Sequence, residues 1–321
     1  GADAVRFYMM TNSEPWDNLK YDEKGVDEVR RKFFGTLYNT YSFFSGYANV
    51  DAFDTEAAQV PVAERPEIDR WVLSVLNTLV KGVQKEMENY DPTRAGRLIE
   101  DFVNNDLSNW YVRLNRKRFW GKEMSQDKLA AYQTLYTCLT TVAKLLAPFA
   151  PFFADQLFCD LGAAKIEGTT SVHLAKFPVA DDQLIDSELE DRMGMAQKIT
   201  SMVHALRKKV NIAVRQPLQA IMIPAVDDEQ RRHIEAVKDL ILSEVNVKEL
   251  RFVEGSGVLV KKVKCNFRTM GKKYGKLMKG IAAAMSALDQ EQIAELETNG
   301  KIAVEVEGNA VDVEAADVEI I

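Results

Sequence analysis

Cysteine and histidine are scarce in this sequence, and those present are scattered. Cys138, Cys159 and Cys265 are its only cysteines in 321 residues, and His173, His204 and His233 its only histidines. A zinc site needs about four clustered ligands, and three distant thiols make no disulfide framework. The reading that follows is a reducing, cytoplasmic compartment, with all three cysteines packed as small hydrophobic residues. No apolar run approaches the roughly 20 residues that cross a bilayer, so no membrane partner is expected. The opening GADAVRFYMM lacks the basic and then apolar regions of a signal peptide. It also lacks an initiator Met and starts inside what reads as a helix, which suggests a piece of a larger protein. A Gly-rich phosphate loop, a nucleophilic Ser or Cys signature and a paired-His metal helix are all missing. No residue is therefore assigned a catalytic or metal-binding role, and no cofactor is expected to be held by this chain.

What is present is ordinary for a globular protein: 46% hydrophobic and 28% charged residues. The length allows two or three modest domains. The net charge of -7 argues against a nucleic-acid partner until its distribution is considered. From Gly255 to Leu288 there are eight Lys or Arg and no Asp or Glu, and from Asp289 to Ile321 ten acids and one base, Lys301. Phosphate binding responds to the local field, so an acidic total does not exclude RNA.

Along the chain, residues 1–63 read as helix, turn-rich loop and aromatic-rich helix, the second helix spanning about Val26 to Tyr47. Residues 64–186 read as wholly helical. Trp71, Val72, Val75, Leu76, Leu79, Val80, Val83 and Met87 recur at spacings of three and four, the mark of a one-faced helix. Asp91-Pro92 starts the next helix, with the acid as cap and proline in the first turn. That helix is expected to end near Asn105, with another from Asp106 to Trp120 stopping at Gly121. A long helix from about Gln126 breaks at Pro148 and Pro151. Residues 187–321 mix helices with β-prone runs. Ser187 to Lys209 is a helix whose expected buried face is Met195, Ile199, Met202, Val203 and Leu206. Strands are expected at Leu218–Ile223, Val245–Val253 and Val258–Val263, with a hairpin around Gly308-Asn309. The fold class is thus mainly α, an antiparallel helical bundle followed by a small α/β domain.

Three basic constellations stand out. In Asn105–Trp120, NDLSNWYVRLNRKRFW, Arg113, Arg116 and Lys117 are three or four residues apart and share a helix face. Trp110, Leu114 and Arg118 turn elsewhere, so the apolar members can pack inward. Basic groups neutralise phosphates, and aromatic or Arg planes stack on unpaired bases; a solvated basic face over an aromatic core explains the pattern too. The second is the acid-free run with Lys261, Lys262, Lys264, Arg268, Lys272, Lys273, Lys276 and Lys279, which could equally pair with the acidic tail. The third is ALRKKVNIAVRQPL, with Arg207, Lys208, Lys209 and Arg215; positive groups also complement a helix carboxy terminus for purely structural reasons.

These stretches resemble a known family. Asn105–Trp120, with its Asn-Trp-Tyr-Val-Arg run, resembles the helix that marks isoleucyl-tRNA synthetases among the class I enzymes. GADAVRFYMM resembles the segment after their ATP-binding signature loop. LLAPFAPFFADQLF, Leu145–Phe158, resembles the proline-broken helix of their anticodon-binding bundle. VRQPL resembles the joint leaving that bundle, and SEVNVKELRFV, Ser243–Val253, the lead-in to a strand of the carboxy-terminal domain. The form resembled is the one of eukaryotes and some bacteria, without a zinc terminus. The parent enzyme implied activates isoleucine with ATP and Mg and charges its tRNA. The HIGH and KMSKS signatures and the inserted editing domain are absent here; GKEMSQDK, Gly121–Lys128, echoes KMSKS only faintly and in the wrong place. The resemblance implies a non-catalytic, tRNA-binding, monomeric portion partnered by isoleucine tRNA and by the catalytic domain of the same polypeptide. It assigns residues 1–63 to stem contacts, 64–186 to the anticodon-binding bundle and 187–321 to a further tRNA-contacting domain. Asn109, Arg113, Arg116, Lys117, Arg118, Trp120, Arg207, Lys208, Arg215, Lys272 and Lys273 are the expected tRNA-binding residues, with Arg118 and Trp120 stacking on bases. A valyl or leucyl homologue, or a helical protein-interaction scaffold without RNA contact, remains an alternative.

Overall fold

The computed structural model describes residues 1–224, 227–253, 263–266, 278–306, 309–314 and 317–320. The described chain is mostly helical. Helix α1 (Ala2–Asn12) packs against α2 (Glu23–Val29), which continues through a π-helical turn, Arg30–Phe34, into α3 (Gly35–Val50). Phe7, Phe33, Phe34 and Phe149 meet ring to ring there, with Phe7 stacked on Phe33 at 4.4 Å between centroids. These contacts explain why the segment is aromatic-rich: large flat side chains bury much area per ordered residue.

The expected one-faced helix is α4 (Glu67–Glu88), with Trp71, Val72, Leu76, Leu79, Val80 and Val83 all buried. It packs against α5 (Pro92–Asp101), α7 (Gln126–Leu146) and α10 (Ser187–Lys209). Asp91 caps α5 by accepting a bond from the Arg94 amide, with Pro92 at the first helical position, as its sequence signature implies. The break expected near Asn105 is not there. Instead α5 passes into a π-helical stretch, Phe102–Val112, then α6 (Arg113–Asn115) and a 3-10 turn, Arg116–Phe119. The helical direction is kept while the winding changes, because amides in this stretch reach carbonyls further back. Ser125 caps α7 through the Lys128 amide, and Pro151 opens α8 (Pro151–Asp160) beyond the kink. Short turns, with α9 (Ala163–Ile166), lead to Asp186, which caps α10.

Helix α10 corrects one expectation. Its buried residues are Leu189, Met193, Ala196, Ile199, Thr200 and Arg207, whereas Met202 and Leu206 are exposed. Apolar spacing alone pointed to a stripe rotated from the one that packs.

Two compact units emerge, one of residues 1–211 with 233–241, the other of residues 212–232 with 242–321. The expected segments 1–63 and 64–186 fall within the first. In the second, β1 (Leu218–Pro224) pairs in parallel with β2 (Val247–Val253), in register Leu218 with Val247. The intervening chain forms α11 (Asp228–Ala236) and α12 (Lys238–Val245), of which residues 233–241 cluster with the first unit. Strand β3 (Val263–Cys265) pairs antiparallel with β6 (Val318–Ile320), and β4 (Lys301–Val306) with β5 (Asn309–Glu314), the expected hairpin. α13 (Met278–Ser286) and α14 (Gln290–Asn299) contribute Ile281, Met285, Ile293 and Leu296 to a core shared with Ile302, Val304 and Val313. The turn expected at Gly255-Ser256-Gly257 lies outside the described residues.

Among the described residues no helix is long and apolar enough to cross a membrane, and no cluster of His, Cys, Asp and Glu is arranged to hold a metal ion. Cys138 and Cys265 are buried as expected, but Cys159, on α8, is exposed.

Candidate nucleic-acid interface

The run from Asn105 to Trp120 divides into an inner and an outer side. Trp110, Tyr111, Val112, Asn115 and Phe119 are buried, while Asn109, Arg113, Arg116, Lys117 and Trp120 are exposed. Spacings of three and four place these exposed groups along one face. Arg116 and Lys117 engage in no ion pair or side-chain hydrogen bond among the described residues, leaving their charge to solvent. Arg113 turns its Nε to the Asn109 carbonyl at 2.9 Å, and its guanidinium lies 5.9 Å from the centre of the Trp110 ring. Trp120 is 58% exposed, a flat apolar surface at the end of the ridge.

Arg118 departs from its expected role. Its guanidinium grips Asp69, with Nη1 and Nη2 donating to the two carboxylate oxygens at 2.6 and 2.9 Å, and it donates to Asp127 at 2.8 and 3.0 Å. Tyr111 donates its hydroxyl to the same Asp69 at 2.8 Å, and Asp69 is fully buried. Burial works against the Arg118 charge, but the Asp69 and Asp127 hydrogen bonds outweigh it and raise its pKa. Burial and the neighbouring Asp69 likewise push the Tyr111 hydroxyl well up. The donor edge of this fork is taken up by the two carboxylates and its side chain is only 14% exposed, so Arg118 anchors the ridge to α4 and α7. A second clamp lies nearby: Lys128, 2% exposed, pairs with Asp51 at 2.6 Å, and Tyr132 donates to the same carboxylate.

The remaining expected residues divide further. Arg207 is buried, 2% exposed at the end of α10, so its guanidinium does not face a surface ligand. Lys208 is exposed on the same turn, and Arg215 is exposed in the second unit. Lys272 and Lys273 lie outside the described residues, as does most of the basic run around them.

Beside the ridge, the Phe102–Val112 stretch and α10 enclose a cleft of about 540 Å³, whose lining includes Asn109, Trp110, Arg113, Gln197 and Thr200. Asp106 accepts a hydrogen bond from Gln197 Nε2 at 2.9 Å. Burial, with Asp101 and Glu190 as like charges, raises the Asp106 pKa to about 6 against the opposing Gln197 bond. Gln197, Thr200 and Asp69 carried no local signature. Asp69 alone could have been found, as an acid in register with the apolar positions 72, 76 and 83.

Residues 69–222 match the family described as the anticodon-binding domain of tRNA ligase. The whole chain aligns with curated proteins named isoleucine–tRNA ligase: 65% identity over 322 residues in Bacteroides thetaiotaomicron, 60% over 322 in Porphyromonas gingivalis and 52% over 322 in Cytophaga hutchinsonii. Each alignment covers 100% of this chain but only 28%, 28% and 29% of the relative.

Proposed function

We propose that this chain, a member of the isoleucine–tRNA ligase family by its full-length match to part of those proteins, is their tRNA-binding, anticodon-recognising portion. The carrying observation is the solvent-facing ridge of Arg113, Arg116 and Lys117 ending in Trp120, clamped from behind by Arg118 on buried Asp69. Within residues 64–186 the helices form an antiparallel anticodon-binding bundle of the class Ia synthetase type. Arg116 and Lys117 neutralise backbone phosphates, Arg113 and Asn109 border the bases, and Trp120 stacks on one. Stacking contributes about 1–3 kcal/mol per base, while ordering the unpaired Arg116 and Lys117 side chains at docking costs about 0.5–1.5 kcal/mol each.

Residues 1–63 hold the stem of the tRNA in relation to the catalytic domain of the parent enzyme. Residues 187–321 add contacts through Lys208, Arg215 and the run containing Lys272 and Lys273. The intact parent, cytoplasmic and monomeric, ligates isoleucine to tRNA with ATP and Mg, whose sites lie outside this chain; the chain alone binds and does not catalyse.

The test compares binding of isoleucine tRNA with an anticodon-swapped copy at two ionic strengths, for the chain and for Arg116→Ala/Lys117→Ala. Expected are preference for the cognate anticodon, weaker binding at higher salt, and a uniform weakening by the double variant at unchanged stability. Binding that ignores salt, or no binding, overturns the proposal.

A further inference from the structure

Lys128 stands where a lysine is least expected. It is the third residue of α7, 2% exposed, in the first turn of a helix whose amino-terminal dipole disfavours a cation. Lysine is almost never fully buried unless paired, and a buried ion pair adds little stability over apolar side chains of the same volume. Fold stability alone gives no reason for an ammonium at this position. The groups its Nζ holds supply one.

Three segments meet there. Nζ donates to the Gly121 carbonyl at 2.5 Å and to Asp51 Oδ2 at 2.6 Å. The same carboxylate accepts the Tyr132 hydroxyl. Asp51 closes α3, with its amide bonded to the Tyr47 carbonyl at 2.9 Å. Burial works against the Asp51 charge, but hydrogen bonds from Lys128 and Tyr132 outweigh it and hold its pKa below the ordinary value. The ammonium is therefore matched by a carboxylate fixed to α3, and its other bond reaches the residue after Trp120.

Trp120 is held on its other side as well. Its amide donates to the Lys117 carbonyl at 3.2 Å. Phe119, 1% exposed, packs edge-on against Tyr132 and Phe43, at 4.9 and 5.1 Å between centroids. Residues 121–127 are all exposed, yet Lys128 grips the first of them and Arg118 the last, through the Asp127 carbonyl at 2.9 Å. The Trp120 ring itself is 58% exposed and makes no hydrogen bond or ring contact among the described residues. A backbone pinned before and after an uncommitted ring presents a flat surface at a fixed angle. Such fixing lowers the ordering cost when something stacks on it.

We infer that Lys128 is a positioning residue for RNA binding: anchored on Asp51, its buried ammonium holds the Gly121 carbonyl and so fixes the pose in which Trp120 meets a base. The inference rests on the tRNA-binding reading above and goes beyond it, by giving a role in binding to a residue that RNA does not touch.

The experiment is a double-mutant cycle on binding of an isoleucine tRNA transcript to the 321-residue chain, with thermal melts of every variant. Trp120→Ala should weaken binding by about 5–150-fold, the range of one base–aromatic stack. Lys128→Met should weaken it by about 2–10-fold, the ordering cost of one side chain, and should add nothing when Trp120 is already Ala. Should Lys128→Met fail to fold, Lys128→Met/Asp51→Asn carries the comparison with the same expectation, because it leaves no carboxylate buried and unpaired. Tyr132→Phe disturbs the same cluster but spares the Gly121 bond, so it should lower the melting temperature and bind like the unaltered chain. Arg116→Ala/Lys117→Ala should weaken binding additively with the Lys128 change. If the Lys128 change leaves binding intact, or weakens it equally with Trp120 present and absent, the positioning role falls while the tRNA reading stands. If Trp120→Ala has no effect, the role falls too. If the unaltered chain does not bind the transcript, both readings fall.

Discussion

Arg118 and Arg116 are two residues apart and of the same type, yet they do opposite things. Arg116 faces solvent, while Arg118 neutralises a carboxylate that has no access to water. Removing one partner of a buried pair leaves the other charged and unpaired, at about 3–5 kcal/mol. Arg118→Ala is therefore expected to lower the unfolding free energy by about that much, and Arg116→Ala to change it by less than about 0.5 kcal/mol. Urea titrations followed by circular dichroism would decide, and equal effects would contradict the clamp. Asp106 makes a pH prediction at the same scale. Its pKa is about 6 in the fold against 3.8 for the free side chain, chiefly through burial. Between those values the unfolded chain has lost the proton that the folded chain keeps, so stability falls as pH rises from about 4 to 6 and then levels off. Asp106→Asn should be more stable than the unaltered chain by about 1–3 kcal/mol at pH 7.5 and equal to it below about pH 4. A constant difference across that window would refute the assignment.

Among the elements, α5 and α1 approach closely at Gly96. A Cβ built there would sit 2.6 Å from Thr11 Cγ2 and 3.4 Å from Phe149 Cε1, whereas one at Gly194 in α10 meets nothing within 4 Å. Gly96→Ala should destabilise by about 1–3 kcal/mol through overpacking. Gly194→Ala should stabilise by about 0.5–1 kcal/mol, the ordinary helix preference of Ala over Gly. Thermal melts of the two variants that shifted in the same direction would show the α1–α5 contact to be looser than described. Helix starts were the most legible features, because Asp91-Pro92 and Ser125 act through their immediate neighbours. The π-helical Phe102–Val112 was not legible: its winding answers to what α3, α4 and α5 press against it, and no local residue announces that. The face of α10 was misjudged for a related reason. Met202 and Leu206 have the right spacing for burial, but Thr200 and Arg207 occupy the side that is covered.

For the whole molecule, a net charge of -7 coexists with a cationic face because the acids are concentrated elsewhere. Ten of them follow Leu288, and Asp69 is spent inside the fold on Arg118. The salt test of RNA binding has a magnitude at this scale. Loss of two phosphate contacts in Arg116→Ala/Lys117→Ala should reduce the slope of log affinity against log salt by about 1.4–1.8. A slope left unchanged would mean that the ridge does not touch phosphate.

Which stretches are helical, which of them begin at a capped acid or serine, and that basic and aromatic residues alternate before Trp120 were all determined by the order of residues, because these depend on neighbours within a turn or two. Only the folded chain decided which of those cations turn inward. Arg118 turned inward because Asp69, 49 residues earlier, was carried to it by the packing of α4. Gln197 came to bond Asp106, 91 residues earlier, because α10 packs back on α4 within the same unit. Contacts across such separations follow from how volumes fill a shared interior, and no local pattern encodes that.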